Sequence, residues 1–117
     1  MKRFLTELNQ EVGVRGSMVV TQDGMVVASD LGVGLQEELI AAIASDAAQH
    51  IKRAIAGIGH QDFTRFILQS AHGKLVFVDI VVGYLVVVLD KRLNMELTLI
   101  AIAGAAYRIR NVTRLPT

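Results

Sequence analysis

The stretch from Leu35 to Gly59 limits the possible folds more than any other part of this chain. Its apolar residues recur with a helical period, over an arc too wide for one packing surface. On a wheel of about 100° per residue, Leu39, Ile40, Ile43, Ala47, Ile51, Ala54 and Ile58 share a sector and are predicted to face the core. Ala41, Ala44, Ala48 and Ile55 widen that sector to roughly 200°, where an ordinary surface helix needs a stripe of about 100°. Glu38, Asp46, Gln49, Lys52 and Arg53 hold the remaining side. Alanine is the best helix former, which accounts for Ala41 and Ala48 but not for Ile55 beside them. The extra width therefore predicts a second packing partner.

Around this helix the chain reads as short strands joined by tight turns. Ser17–Thr21 and Met25–Ser29 flank Gln22-Asp23-Gly24, whose Asp and Gly tolerate the positive φ of a hairpin turn. A third strand is expected at Phe63–Ser70, a fourth at Lys74–Ile80 after His72-Gly73, and a fifth at Tyr84–Leu89. Lys2–Val12 reads as a short helix with Phe4, Leu5, Leu8 and Val12 on one side. Leu93–Asn111 reads as the last helix, capped by Asp90, with Pro116 beyond it. That helix carries two stripes. Met95, Leu99, Ile102, Ala106 and Ile109 are expected to cover the sheet, and Leu93, Leu97, Ile100 and Tyr107 to meet the first helix. The resulting order, αββαβββα, predicts an α/β (α+β) fold with a five-stranded, mainly antiparallel sheet and helices on its faces.

At 117 residues the chain is expected to be one domain, 1–117, with room for a proper core. A net charge of +1 gives no global electrostatic argument for nucleic acid or an anionic membrane as partner. With no cysteine there are no disulfides, thiolate chemistry or Cys-ligated metals, which suits a reducing cytoplasm. The greasy run Leu75–Leu89 falls short of the ~20 residues of a spanning helix and carries Asp79 and Gly83 in its interior. The start, Met1–Leu5, looks like a signal peptide until Thr6–Glu11 ends the apolar region. A cytoplasmic protein with no membrane insertion is expected. Hydrophobic residues make up 52% of the chain and mean hydropathy is +0.45. Burying that much apolar surface favours an oligomer.

Chemistry-bearing patterns are scarce. His50, His60 and His72 fall on a helix, a loop and a turn, and none has a His or Glu at the spacing that pairs ligands on one helix face. Gly13-Val-Arg-Gly16, Gly32-Val-Gly34 and Gly57-Ile-Gly59 match neither a phosphate loop nor a dinucleotide fingerprint and read as loop punctuation. Ser17, Ser29, Ser45 and Ser70 lack a nucleophile elbow. Asp79 has no second carboxylate nearby and reads as outward-facing. Arg108, Arg110 and Arg114 suit a helix C-terminus more than a nucleic-acid patch. No catalytic residue, metal site or cofactor is expected, and the chain reads as non-enzymatic.

The string Val-Val-Thr-Gln-Asp-Gly-Met-Val-Val-Ala-Ser, the helix Glu-Glu-Leu-Ile-Ala-Ala-Ile-Ala and the strand Gly-Tyr-Leu-Val-Val-Val-Leu-Asp together resemble the Roadblock family. That family includes the Roadblock dynein light chains, the Ragulator scaffold subunits and the bacterial polarity regulator MglB. The resemblance implies a profilin-like three-layer α/β/α sandwich that forms a homodimer through the long helix and the third strand. On this chain that seam is expected at Ala44, Ala48, Ile51, Ile55, Phe63, Arg65 and Ile67. It also implies a small Ras-like GTPase as partner, held on a saddle of Glu38, Ala41, Ser45, Gln49 and Lys52 from the paired long helices. Only Arg53 stands at the margin of that saddle, so any stimulated hydrolysis is expected to proceed without an inserted arginine finger. Asp79-Ile-Val-Val-Gly83 is apolar where family members often have a polar turn, which marks that loop as a candidate contact. The alternative function is a small-molecule sensor of profilin-like fold. It is disfavoured because few inward polar groups and only six aromatics are present to build a pocket.

Overall fold

A computed structural model describes residues 1–59, 63–71, 73–91 and 95–113. His60, Asp62, His72, Leu93, Arg114 and Pro116 lie outside them, as does the Met95 side chain. The elements are α1 (Lys2–Leu8), β1 (Val14–Thr21), β2 (Val26–Leu31), α2 (Glu37–Gly57), β3 (Arg65–Ser70), β4 (Gly73–Asp79), β5 (Gly83–Leu89) and α3 (Met95–Thr113). The strands form one five-stranded sheet in the order β2-β1-β5-β4-β3, with every neighbouring pair antiparallel. The expected αββαβββα order and sheet type are present. Among the described residues no helix is long and apolar enough to cross a membrane.

The apolar run from Leu75 to Leu89 resolves into two neighbouring strands, β4 and β5, joined by a tight turn. β5 is the central strand, and all seven of its residues are buried. A strand covered on both faces needs no apolar–polar alternation, which explains the continuous Val and Leu content. Gly83 is the first residue of β5, just after the turn that divides the run. A Cβ at that position would lie 2.0 Å from the Val20 carbonyl oxygen, so only glycine lets β1 and β5 approach there.

The core lies in two layers, one on each face of the sheet. On one face Val19, Val76, Val78, Leu85, Val87 and Leu89 pack with Phe4, Leu5 and Leu8 of α1 and Ile102, Ala105, Ala106 and Ile109 of α3. On the other, Met18, Val20, Phe77, Tyr84 and Val86 meet Ala41, Ala44 and Ala48 of α2. Period-two alternation divides the strand residues between these layers.

Two expectations about the terminal helices are corrected. α1 stops at Leu8, and Val12 is exposed instead of sharing its apolar side. Tertiary hydrogen bonds explain the early stop. The Asn9 amide donates to the Asp30 carbonyl at 2.7 Å, and the buried Ser17 hydroxyl donates to Asn9 Oδ1 at 2.8 Å. In α3, the second stripe does not meet α1. Ile102, Ala105, Ala106 and Ile109 face both the sheet and α1, while Leu97, Ile100 and Tyr107 are exposed. The seven residues of α1 bring only Phe4, Leu5 and Leu8 to the core, and these insert beside α3 at the sheet surface.

Candidate functional site

The sheet face beneath α2 is bulky. Phe63 stacks on Tyr84 with centroids 5.5 Å apart, meets Phe66 edge-on at 4.7 Å, and Phe66 stacks on Phe77 at 4.2 Å. These are four of the six aromatics in the chain. A helix can lie close over such a surface only if its own contact residues are small, because interior packing matches large against small. Ala41, Ala44 and Ala48 are the residues that face it, and they are buried.

This reverses the expected sides of the wide apolar arc. The arc is present, but its alanine end faces the sheet and its large aliphatic end is left open. Leu39 is 55% exposed and Ile43 is 45% exposed, with Ala54 and Ile58 also at the surface. Ile40, Ala47, Ile51 and Ile55 are half-buried along the border. A helical wheel gives the width of an apolar arc and says nothing about which end the sheet takes.

The expected interface residues are accordingly divided. Ala44 and Ala48 belong to the core under α2 and are already covered by the same chain. Phe63 is engaged with Tyr84 and Phe66, and Ile67 packs on the α1/α3 side of the sheet. Arg65 is exposed and, paired with Val78, lies on that same α1/α3 side. β3 is an edge strand, and on the α2 side it presents Phe66, half-buried, and Leu68, exposed beside Leu75. The apolar flank of α2 and these β3 and β4 side chains form the apolar border that the sequence did not place.

The opposite flank of α2 is polar and meets the tip of the β1–β2 hairpin. Asp23, Gly24 and Val26 line an open groove of about 490 Å³ together with Glu38, Ala41, Ala42, Ser45, Asp46 and Gln49. Four of the five expected partner-binding residues, Glu38, Ala41, Ser45 and Gln49, are thus brought together. Lys52 does not join them, because its Nζ lies 5.3 Å from the centre of the Tyr84 ring. Ala41 forms the buried floor of the groove and Ser45 its half-buried wall. The contribution of Asp23 and Gly24 was missed because a hairpin tip 20 residues upstream carries no periodic signal toward the helix. The groove carries three carboxylates, from Asp23, Glu38 and Asp46, and no Lys or Arg lines it among the described residues. Arg53, at its margin, is exposed and its Nε donates to the Gln49 carbonyl at 3.4 Å.

Other candidates are also placed. His50 is exposed, with Nδ1 2.8 Å from the Asp46 carbonyl oxygen one turn earlier. Among the described residues no three His, Asp or Glu side chains converge as metal ligands would. The Asp79 carboxylate accepts the Val81 N–H at 2.9 Å, and its carbonyl accepts from Arg110 Nε at 3.1 Å. The turn beyond it exposes Val81 and Val82, with Val81 at φ 75°.

Comparison with known proteins agrees with this architecture. A family model described as the Roadblock/LC7 domain matches residues 2–90. The protein MJ1340 of Methanocaldococcus jannaschii is 40% identical over 108 residues, covering 92% of this chain and 95% of its own. The crystal structure of a Roadblock/LC7 domain from Streptomyces avermitilis superposes with a TM-score of 0.87 at 16% identity, covering 98% of both chains. Myxococcus xanthus MglB gives 0.86 at 16% identity, covering 96% of this chain and 93% of its own. LokiProfilin2, solved with rabbit actin, gives 0.64 at 14% identity over 93% of this chain and 94% of its own, so the sandwich is profilin-like. With that fold and a family match over most of its length, the chain belongs to the Roadblock/LC7 family.

Proposed function

We propose that this protein is a non-catalytic homodimeric module that regulates or scaffolds a small Ras-like GTPase in the cytoplasm. The observation that carries the dimer is the open apolar flank of α2. Leu39 and Ile43 stand exposed on a helix whose sheet-facing side is already filled by alanine. Fully burying a large aliphatic side chain contributes about 1.5–3 kcal/mol, so a second copy laying its own α2 along this flank gains from both chains. Pairing of the edge strand β3 with its twin satisfies the outward N–H and C=O groups and covers Leu68. This seam uses Leu39, Ile43, Phe66 and Leu68 in place of Ala44 and Ala48.

The GTPase reading rests on family membership and on the likeness to MglB. The carboxylate-rich groove between the hairpin tip and α2 supports it, since such a surface suits a basic patch on a folded partner. A Ras-like partner changes its switch regions with its nucleotide, so binding is expected to differ between the GTP and GDP states. Stimulated hydrolysis, where present, works by ordering the GTPase's own residues, as no arginine lines the groove among the described residues.

The experiment is a pull-down from the native host with the GTPase loaded with GDP or a non-hydrolysable GTP analogue. Nucleotide-dependent co-purification that is lost in Glu38→Lys supports the reading. Recovery of no GTPase in either state overturns it.

A further inference from the structure

α3 carries a second exposed apolar row, on the face of the sheet opposite α2. Leu97, Ile100, Gly104, Tyr107 and Asn111 recur along α3 at alternating spacings of three and four residues. That spacing draws one straight seam on a helix, as in a two-stranded coiled coil. None of the five takes part in the core. Leu97 is 77% exposed, Ile100 69% and Tyr107 63%, while Ala103, Gly104 and Asn111 are also at the surface. A Cβ built on Gly104 would meet nothing within 4 Å, so nothing in this chain's own packing requires glycine there. A gap in the middle of an apolar seam fits the close approach of a second helix.

From this we infer that two copies of this chain pair antiparallel through α3, in a register set by size and charge together. With Ile100 of each copy seated against Gly104 of the other, Leu97 falls opposite Tyr107. Large then meets small in the middle of the seam, and large meets large at its ends. The same register places Glu96 of each copy beside Arg110 of the other along one edge, with Ala103 facing its own twin between them. The Glu96–Arg110 pair arises from the same alignment, and the antiparallel two-fold makes it occur twice. Glu96 is exposed, and Arg110 is held at the sheet by its Nε donating to the Asp79 carbonyl at 3.1 Å, which fixes the base of that guanidinium. Arg108 lies on the other edge, with its Cζ 5.8 Å from the Phe4 ring of α1, and stays outside the charged row.

A parallel pairing would set Gly104 beside Gly104, leaving the gap unfilled, and would place Glu96 of one copy beside Ala101 of the other, away from Arg110. Because α2 and α3 lie on opposite faces of the sheet, this contact is geometrically independent of the proposed α2 seam. Where both form, dimers join into tetramers or longer assemblies, since each surviving face carries its own two-fold.

Sedimentation velocity across a concentration series tests the inference, with folding checked by circular dichroism. Four proteins are compared: wild type, Ile100→Glu, Ile43→Glu and the double variant. The expected result is a wild-type mass that rises above the dimer with concentration, and Ile100→Glu that stays dimeric. Ile43→Glu should retain a concentration-dependent dimer, and the double variant should be a monomer. Leu97→Glu repeats the Ile100 arm at a separate site. Glu96→Arg, which sets arginine against Arg110 twice, should weaken association about tenfold.

The register is read separately. Ala103→Cys adds one thiol to a cysteine-free chain. A short bismaleimide should cross-link it in the Ile43→Glu background and leave a Glu11→Cys control uncoupled. Equal masses for wild type, Ile100→Glu and Leu97→Glu at every concentration would overturn the pairing, including where α3 instead captures a different protein. Failure of Ala103→Cys to cross-link overturns the register. Failure of the α2 seam is a distinct outcome, seen as an Ile43→Glu protein with wild-type mass.

Discussion

Gly24 rests directly on Ser45: a Cβ added to Gly24 would lie 2.9 Å from Ser45 Cβ and 3.1 Å from its hydroxyl, on a backbone held at φ 91°. The tip of the β1–β2 hairpin is thereby seated on the middle of α2, and the groove between them takes its shape from that contact. The small size of Ser45 serves this chain's own packing. An arginine at position 45 would displace the hairpin tip before it obstructed any partner.

Gly24→Ala is expected to destabilise the protein by about 2 kcal/mol, through positive-φ strain and the close approach to Ser45. The added variant Ser45→Gly should recover only the steric part, because the backbone strain at position 24 remains. Urea denaturation of the two single variants and the double variant measures that coupling.

Charged substitutions on α2 should separate folding from assembly. Ala48→Glu places a carboxylate among Met18, Phe77 and Tyr84 and should abolish cooperative folding. Ile43→Glu, on the open flank, should keep the native circular dichroism spectrum and a cooperative thermal transition while losing the α2 contact. Light scattering beside thermal melts distinguishes them. An Ala48→Glu protein that folds normally would place the alanine row elsewhere than under the sheet.

Val81 carries a β-branched side chain at φ 75°, where such residues are strained by about 1–2 kcal/mol. Val81→Asn is therefore expected to stabilise the fold by about 1 kcal/mol, since asparagine tolerates the left-handed region. The Asp79 carboxylate already accepts the N–H of residue 81, so the turn keeps its hydrogen bond. A rise in the urea midpoint with an unchanged slope is the expected reading.

Phe77 lies fully buried between Phe66 and the alanine row, and Phe77→Ala should cost about 3–5 kcal/mol through lost burial and an unfilled cavity. Phe63→Ala should cost clearly less, because Phe63 is only half-buried at the end of the aromatic row. Comparing their denaturation midpoints tests whether the row is anchored at Phe77.

Element order, strand identity and the mainly antiparallel sheet were legible in the sequence because each rests on local signals. Asp23-Gly24 between two β-rich runs favours a hairpin turn from local preference alone, and the Val- and Leu-rich pieces either side of Val81-Val82 are too short and too β-branched for helices. The breadth of the α2 arc was likewise readable, as it follows from residue spacing alone. Which end of that arc met the sheet was decided by volume. Phe63, Phe66, Phe77 and Tyr84 gather under α2 only after β3, β4 and β5 have paired, and their bulk selects alanine as the facing side. The same tertiary reason stops α1 at Leu8, where Asn9 is drawn to Ser17 and Asp30 from two other strands, and leaves Leu97, Ile100 and Tyr107 uncovered. Periodicity along one chain shows how much surface a helix must bury. The strands beside it determine which part is buried within the chain and which part is left open.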